Sequence, residues 1–197
     1  MKIKSILAVA AVAGLCAGVQ AATIDYTFME NGQNVTLGSS SVFTVGGVSI
    51  TAYGVGDTIY AKNSGPGETG LGFTHDSDHE ISGGGFIQLD VSQLINATLA
   101  TIFLSSVQVN EAADLFYSDI LGSQGNYIGS VVNADGSYNI TSFLSHHYIN
   151  VSSSAGNVLI AGLTANVPSR VPDGGTTAAM LGGALTALGL VRRKLSA

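Results

Sequence analysis

Between residues 22 and 166, alternation of apolar and polar side chains is common, and no helical period persists. A chain patterned this way buries one face as a strand and leaves the other wet. Ile24, Tyr26 and Phe28 fall on one face, with Thr23, Asp25 and Thr27 on the other. Residues 48–53, 86–91 and 148–151 repeat the alternation. Residues 97–109 form a longer β-branched run, read as a core strand, and residues 158–163 read as the last strand. Breaks fall at Gly46-Gly47 and within 63–67, 83–85, 122–126 and 134–137. Asp135-Gly136, between 127–132 and 138–143, predicts a hairpin. About ten to twelve short strands with turn signals between them predict an all-β fold. Its expected form is two packed antiparallel sheets, a β-sandwich of jelly-roll type. An immunoglobulin-like sandwich is the alternative, but its cysteine pair and tryptophan are absent. No internal repeat of fixed period points to a propeller or solenoid.

Hydrophobic residues make up 46% of the 197 residues and charged residues only 10%, enough to build a core and unlike a disordered tail. Charge is unevenly placed. Lys2 and Lys4 open the chain, Arg192, Arg193 and Lys194 nearly close it, and only Lys62 and Arg170 lie between. Twelve of the 13 Asp and Glu fall within 22–170. A domain so acidic lacks the clustered cations that neutralise phosphates, so nucleic acid is excluded as a partner. The acids keep an exported domain soluble, or serve cations and neutral glycans. Cys16 is the only cysteine, so no internal disulfide can form. Leu15 before it does not suit a lipoprotein signal, and Cys16 reads as apolar filler.

The two ends carry targeting patterns. Lys2 and Lys4, an apolar run over 6–17, and Val19-Gln20-Ala21 make a signal peptide, with cleavage expected between Ala21 and Ala22. At the other end stand Val171, Pro172, Asp173, Gly174, Gly175, Thr176 and Thr177, an apolar run over 178–191, and the basic cluster. The 14-residue run spans about 21 Å as a helix against a bilayer core of ~30 Å, a marginal transmembrane segment. Gly182, Gly183 and Gly189 weaken it further. Arg192, Arg193 and Lys194 act as a membrane stop and keep the chain end cytoplasmic. Both ends thus place the intervening domain outside the cytoplasm.

Residues 171–194 resemble the PEP-CTERM sorting segment of Gram-negative bacteria that make extracellular polysaccharide. That segment has Val-Pro-Glu-Pro before Ser or Thr, then an apolar helix and a basic end. Here Asp173 stands for the Glu and Gly174 for the second Pro, as in the Val-Pro-Asp-Ser-Gly or Val-Pro-Asp-Gly-Gly variant. The resemblance implies exosortase, a membrane-embedded transpeptidase-like cysteine enzyme, as processing partner. Gly70-Leu71-Gly72-Phe73, Asp78-His79-Glu80-Ile81 and Phe86–Asp90 also resemble the β-rich ectodomains that precede such tails. The expected layout is a signal peptide over 1–21, a β-sandwich over 22–165, a linker with the motif over 166–177, a membrane helix over 178–191, and a basic tail over 192–197.

The densest polar cluster is His75-Asp76-Ser77-Asp78-His79-Glu80, with Glu68 shortly before. Glu68, Asp76, Asp78 and Glu80 are the candidate ligands of a calcium ion, which takes oxygen donors. The spacing is not that of an EF-hand. His75 and His79 are four apart, but the flanking Gly and Asp argue against the helix that would aim both at one zinc. His146 and His147 should point to opposite faces. Asp76, Asp78 and Glu80 as a glycosidase acid/base pair have no second feature behind them, and no Gly-x-Ser-x-Gly stands beside a readable triad. The chain is therefore expected not to be an enzyme. The leading expectation is an exported surface or matrix protein with a structural or interaction role. It would use the Sec machinery and signal peptidase, cross the inner membrane, dwell there briefly, and meet extracellular polysaccharide. The alternative is a calcium-supported glycan-binding module, and a small hydrolase stands third.

Overall fold

The computed structural model describes residues 21–28, 34–168 and 182–183. The chain divides into two units, Ala21–Pro168 and Met1–Gln20 with Ser169–Ala197. Of the second unit only Gly182 and Gly183 are described, and both are helical. The rest of the expected membrane helix, the signal peptide up to Gln20, the sorting motif and the basic cluster lie outside the described residues. Among the described residues no helix is long and apolar enough to cross a membrane.

The first unit is all-β, as the alternation predicts. One sheet runs in the order β11 (Gly136–Asn139), β8 (Leu99–Ser105), β13 (Leu159–Pro168), β6 (Thr69–Phe73), β5 (Ile59–Asn63) and β2 (Val35–Gly38). In it β1 (Ala21–Thr27) also pairs with β13. The other sheet runs β10 (Asn126–Val132), β9 (Ala112–Ser118), β12 (Tyr148–Ala155), β7 (Phe86–Asp90), β4 (Val48–Val55) and β3 (Ser40–Val45). All pairings between these strands are antiparallel. Buried apolar residues of both sheets form one core cluster. In β1, Ile24 and Tyr26 are buried, as is Phe28 beyond it, while Thr23, Asp25 and Thr27 are exposed. In β4, Val48, Ile50 and Ala52 face the core.

Strand β13 organises the first sheet. Along one side it pairs with β8 from Leu159 to Asn166. Its other side is divided. Ile160 pairs with Leu71 of β6, and Gly162 through Pro168 pair with Thr27 back to Ala21 of β1. Gly162 allows this handover, because a Cβ there would lie 2.6 Å from the Tyr26 carbonyl oxygen. The register Ala21↔Pro168 sets the chain's entry beside its exit.

Three expectations change. The run over 97–109 is not one strand: β8 ends at Ser105, and Ser106 turns the chain with φ 57°. Asp135-Gly136 does not close a hairpin. β10 pairs with β9 in one sheet and β11 with β8 in the other, so the turn crosses between sheets. Asp135 pins it there by accepting the Val107 backbone N–H at 2.9 Å. Alternation also turns Gln88 outward, yet it is fully buried. The β9–β10 loop covers it: the Gln88 amide donates to the Ile120 and Ser123 carbonyls and accepts from Gly122 N–H at 2.7 Å.

Candidate functional site

Lys62 is the only Lys or Arg among the described residues, and it is 7% exposed. It lies in β5, and the chain turns tightly after it, with Ser64 N–H donating to the Glu68 carbonyl and Glu68 N–H to that of Gly65. The turn sets Glu68 back against Lys62. The ammonium donates to Glu68 Oε2 at 2.5 Å and to Glu80 Oε1. Ser106 Oγ donates to Glu80 Oε1 at 2.8 Å and lies 3.2 Å from Glu68 Oε1. The 62–68 turn, Glu80 and Ser106 thus meet around one buried ammonium.

The charges inside this cluster respond to burial and to each other. Burial pulls Lys62 down, but the two carboxylates outweigh it and hold the ammonium above its ordinary value. Burial pushes the Glu80 carboxyl up, against the pull of Lys62 and Ser106. The more exposed Glu68 is held low by Lys62.

Lys62 also reaches the wall of a polar cleft of about 240 Å³, lined further by Asn34, Tyr60, Ser64, Ser77, Asp78 and His79. Asn34 is fixed by exchanging two hydrogen bonds with the Asn63 backbone, at 3.1 and 2.6 Å. The Tyr60 ring stacks on His79, centroids 3.9 Å apart and 22° from parallel. His79 sits at φ 58°, a conformation that costs energy for a residue with a Cβ, and its buried Nδ1 has no hydrogen-bond partner. Asp76 shapes this turn. Its Oδ1 accepts Asp78 N–H at 2.9 Å, its Oδ2 accepts Ser82 Oγ–H at 2.5 Å, and its carbonyl accepts His79 N–H at 3.0 Å.

The four expected calcium ligands do not converge. Glu68 and Glu80 are held by a lysine, a cation already in place. Both oxygens of Asp76 are taken by the turn, and Asp78 faces the cleft. Among the described residues no group of three or more His, Cys, Asp or Glu is placed to hold a metal ion. The histidines separate as well: His75 Nδ1 pairs with Asp57 Oδ2 at 2.5 Å while His79 stacks on Tyr60. His146 stacks on Tyr117 and pairs with Asp119, and His147 meets Tyr148 edge-on. Ala21 and Ala22 lie at the start of β1.

Sequence reasoning missed Tyr60, Lys62 and Ser106. The available signal was the lone lysine in a domain crowded with acids. It also missed Asp57, which accepts the His75 backbone N–H at 2.9 Å and its ring. Burial works against the Asp57 carboxylate, but these His75 contacts outweigh it and lower its pKa to about 2. A depressed carboxyl contributes stability above its unfolded value and loses it as pH falls through the folded one. Asp57→Ala should therefore lower the urea midpoint at pH 6, and the gap to the wild type should close as the pH drops from about 4 towards 2. A gap that persists at pH 2 would assign the loss to packing.

Residues 170–195 match the family model of the VPDSG-CTERM motif. The match spans the expected motif, apolar run and basic cluster, and the tail is a PEP-CTERM-like sorting segment. No curated protein and no solved structure matches the chain.

Proposed function

We propose that this chain is an exported protein that exosortase processes through its C-terminal segment, leaving the β domain displayed at the cell surface or in the matrix with an interaction role. The observation that carries this reading is the VPDSG-CTERM match over 170–195, which begins two residues after β13 ends at Pro168. The order of parts supplies the physics. A marginal apolar helix followed by Arg192, Arg193 and Lys194 stays in the inner membrane with its basic end in the cytoplasm. Pro172 and Asp173 then lie on the outer side, within reach of a membrane-embedded processing enzyme. Signal peptidase cutting after Ala21, behind Sec export, leaves a chain that begins at Ala22, the second residue of β1. The domain suits life outside the cell without disulfides, because one continuous core draws on both sheets.

Deleting 171–197 tests this. Export should persist, with the mature protein beginning at Ala22, but most of it should move from the envelope to the medium. Retention in the envelope at the full-length level would sink the reading. Mass spectrometry of the native protein reads both ends directly. The expected product begins at Ala22 and lacks the basic tail.

A further inference from the structure

We propose that the cleft beside Lys62 binds one neutral sugar ring, held through vicinal hydroxyls. The claim gives a ligand to the interaction role above. It rests on the cleft's own chemistry, so binding by the purified chain is independent of sorting.

The lining mixes donors with acceptors. Lys62 has three N–H donors and uses two of them on Glu68 and Glu80. Ser64, Ser77 and Tyr60 offer hydroxyls that donate or accept. Asp78 adds a charged acceptor. A simple anion would leave the acceptors unmatched and face Asp78 in a domain with one cation. An ammonium would leave the donors unmatched and meet the like charge of Lys62 in the cleft wall. Hydroxyl pairs on adjacent carbons donate and accept at every atom and match the whole set. The size agrees, because about 240 Å³ admits one pyranose and not an extended chain. The cleft is also shaped in advance. Tyr60 is fixed by stacking on His79, Asn34 by the Asn63 backbone, and the 76–80 turn by both Asp76 oxygens. Pre-set groups lose little freedom when a ligand arrives.

Position supports display. The turn that carries Ser77, Asp78 and His79 is anchored by the bridge Ile81↔Val158, just before β13 begins. The chain leaves for the sorting segment at the other end of that 10-residue strand, about 30 Å away at ~3.3 Å per residue.

The test is saturation-transfer NMR on the full chain in a zwitterionic, sugar-free detergent. The probes are D-glucose, D-galactose, D-mannose, N-acetyl-D-glucosamine, D-glucuronate and putrescine. At least one neutral sugar should bind with a Kd in the millimolar range and shift the His79 ring resonances. Asp78→Asn should weaken it about tenfold by removing a charged acceptor. Ser77→Trp, on an exposed turn, should fill the cleft and abolish binding with an unchanged melting temperature. If Ser77→Trp fails to fold, Asp78→Asn carries the decision alone. No binding by any neutral sugar at 20 mM overturns the proposal. So does tighter binding of glucuronate or putrescine, or binding that neither variant weakens.

Discussion

Lys62→Met is expected to cost about 3–5 kcal/mol of folding stability at pH 7, the loss that follows when one partner of a buried ion pair is removed. At roughly 2–4 °C per kcal/mol for a domain of this size, the melting temperature should fall by about 10 °C. Methionine has nearly the volume of lysine, so the loss is electrostatic and leaves no cavity. Glu80, with its side chain 6% exposed, would have no cation and little water to replace it, and Ser106 Oγ–H would be its one remaining donor. Two tests separate this from a packing defect. The first is pH. In the variant both carboxyls would titrate above their unfolded value, so protonation favours the fold and stability returns as pH falls from neutral towards about 4.5. A packing defect would keep the gap constant. The second is a cycle. Glu80→Gln on the Lys62→Met background should restore most of the loss, because it removes the stranded charge, whereas Glu80→Gln alone should not stabilise. A melting temperature within 2 °C of wild type for Lys62→Met at pH 7 would show that water reaches the cluster and that the lysine is dispensable.

The same cluster shows where sequence reading stops. Alternation of apolar residues suffices for β1 and β4, because each has one wet face and one buried face, and period two encodes that directly. It misplaces Gln88, since a loop from another part of the chain covers its outer face, and strand periodicity carries no record of loop packing. It pairs β10 with β11 because Asp-Gly is good turn chemistry, but β10 pairs with β9 in one sheet and β11 with β8 in the other. Turn chemistry is local, and partner choice is set by contacts far along the chain. The acids at 68, 76, 78 and 80 look like one ligand set in one dimension. In three dimensions Lys62 of β5 reaches both Glu68 and Glu80 and takes the place a metal would need. The cleft was less legible still. Its aromatic wall needs His79 at a positive φ, and nothing in a histidine followed by a glutamate announces that. The sorting motif was legible, as the family-model match over 170–195 agrees, because its signal is composition and order along the chain, which need no fold.

Gly72→Ala should be strongly disruptive, costing about 3 kcal/mol. The φ of Gly72 is not in the left-handed range, so the reason is space. An added Cβ would overlap the His79 carbonyl oxygen and lie 2.7 Å from Glu80 Cα and 2.9 Å from the His79 carbonyl carbon. Those are backbone atoms and cannot rotate away, so the whole 78–80 segment must retreat from β6. That segment carries both functional features: His79 stacks on Tyr60 in the cleft wall, and Glu80 meets Lys62. The substitution is therefore expected to do more than lower stability. Lys62–Glu80 should lengthen, so Lys62→Met added to Gly72→Ala should cost clearly less than Lys62→Met alone, by at least 1 kcal/mol of coupling on the scale of contacting residues. The His79 ring resonance should lose the upfield shift that a face-on tyrosine imposes. An alanine at 72 with wild-type stability and an unmoved His79 signal would mean that the 76–80 turn yields freely. In that case the cleft's pre-set shape, on which its selectivity for one sugar ring depends, would not exist.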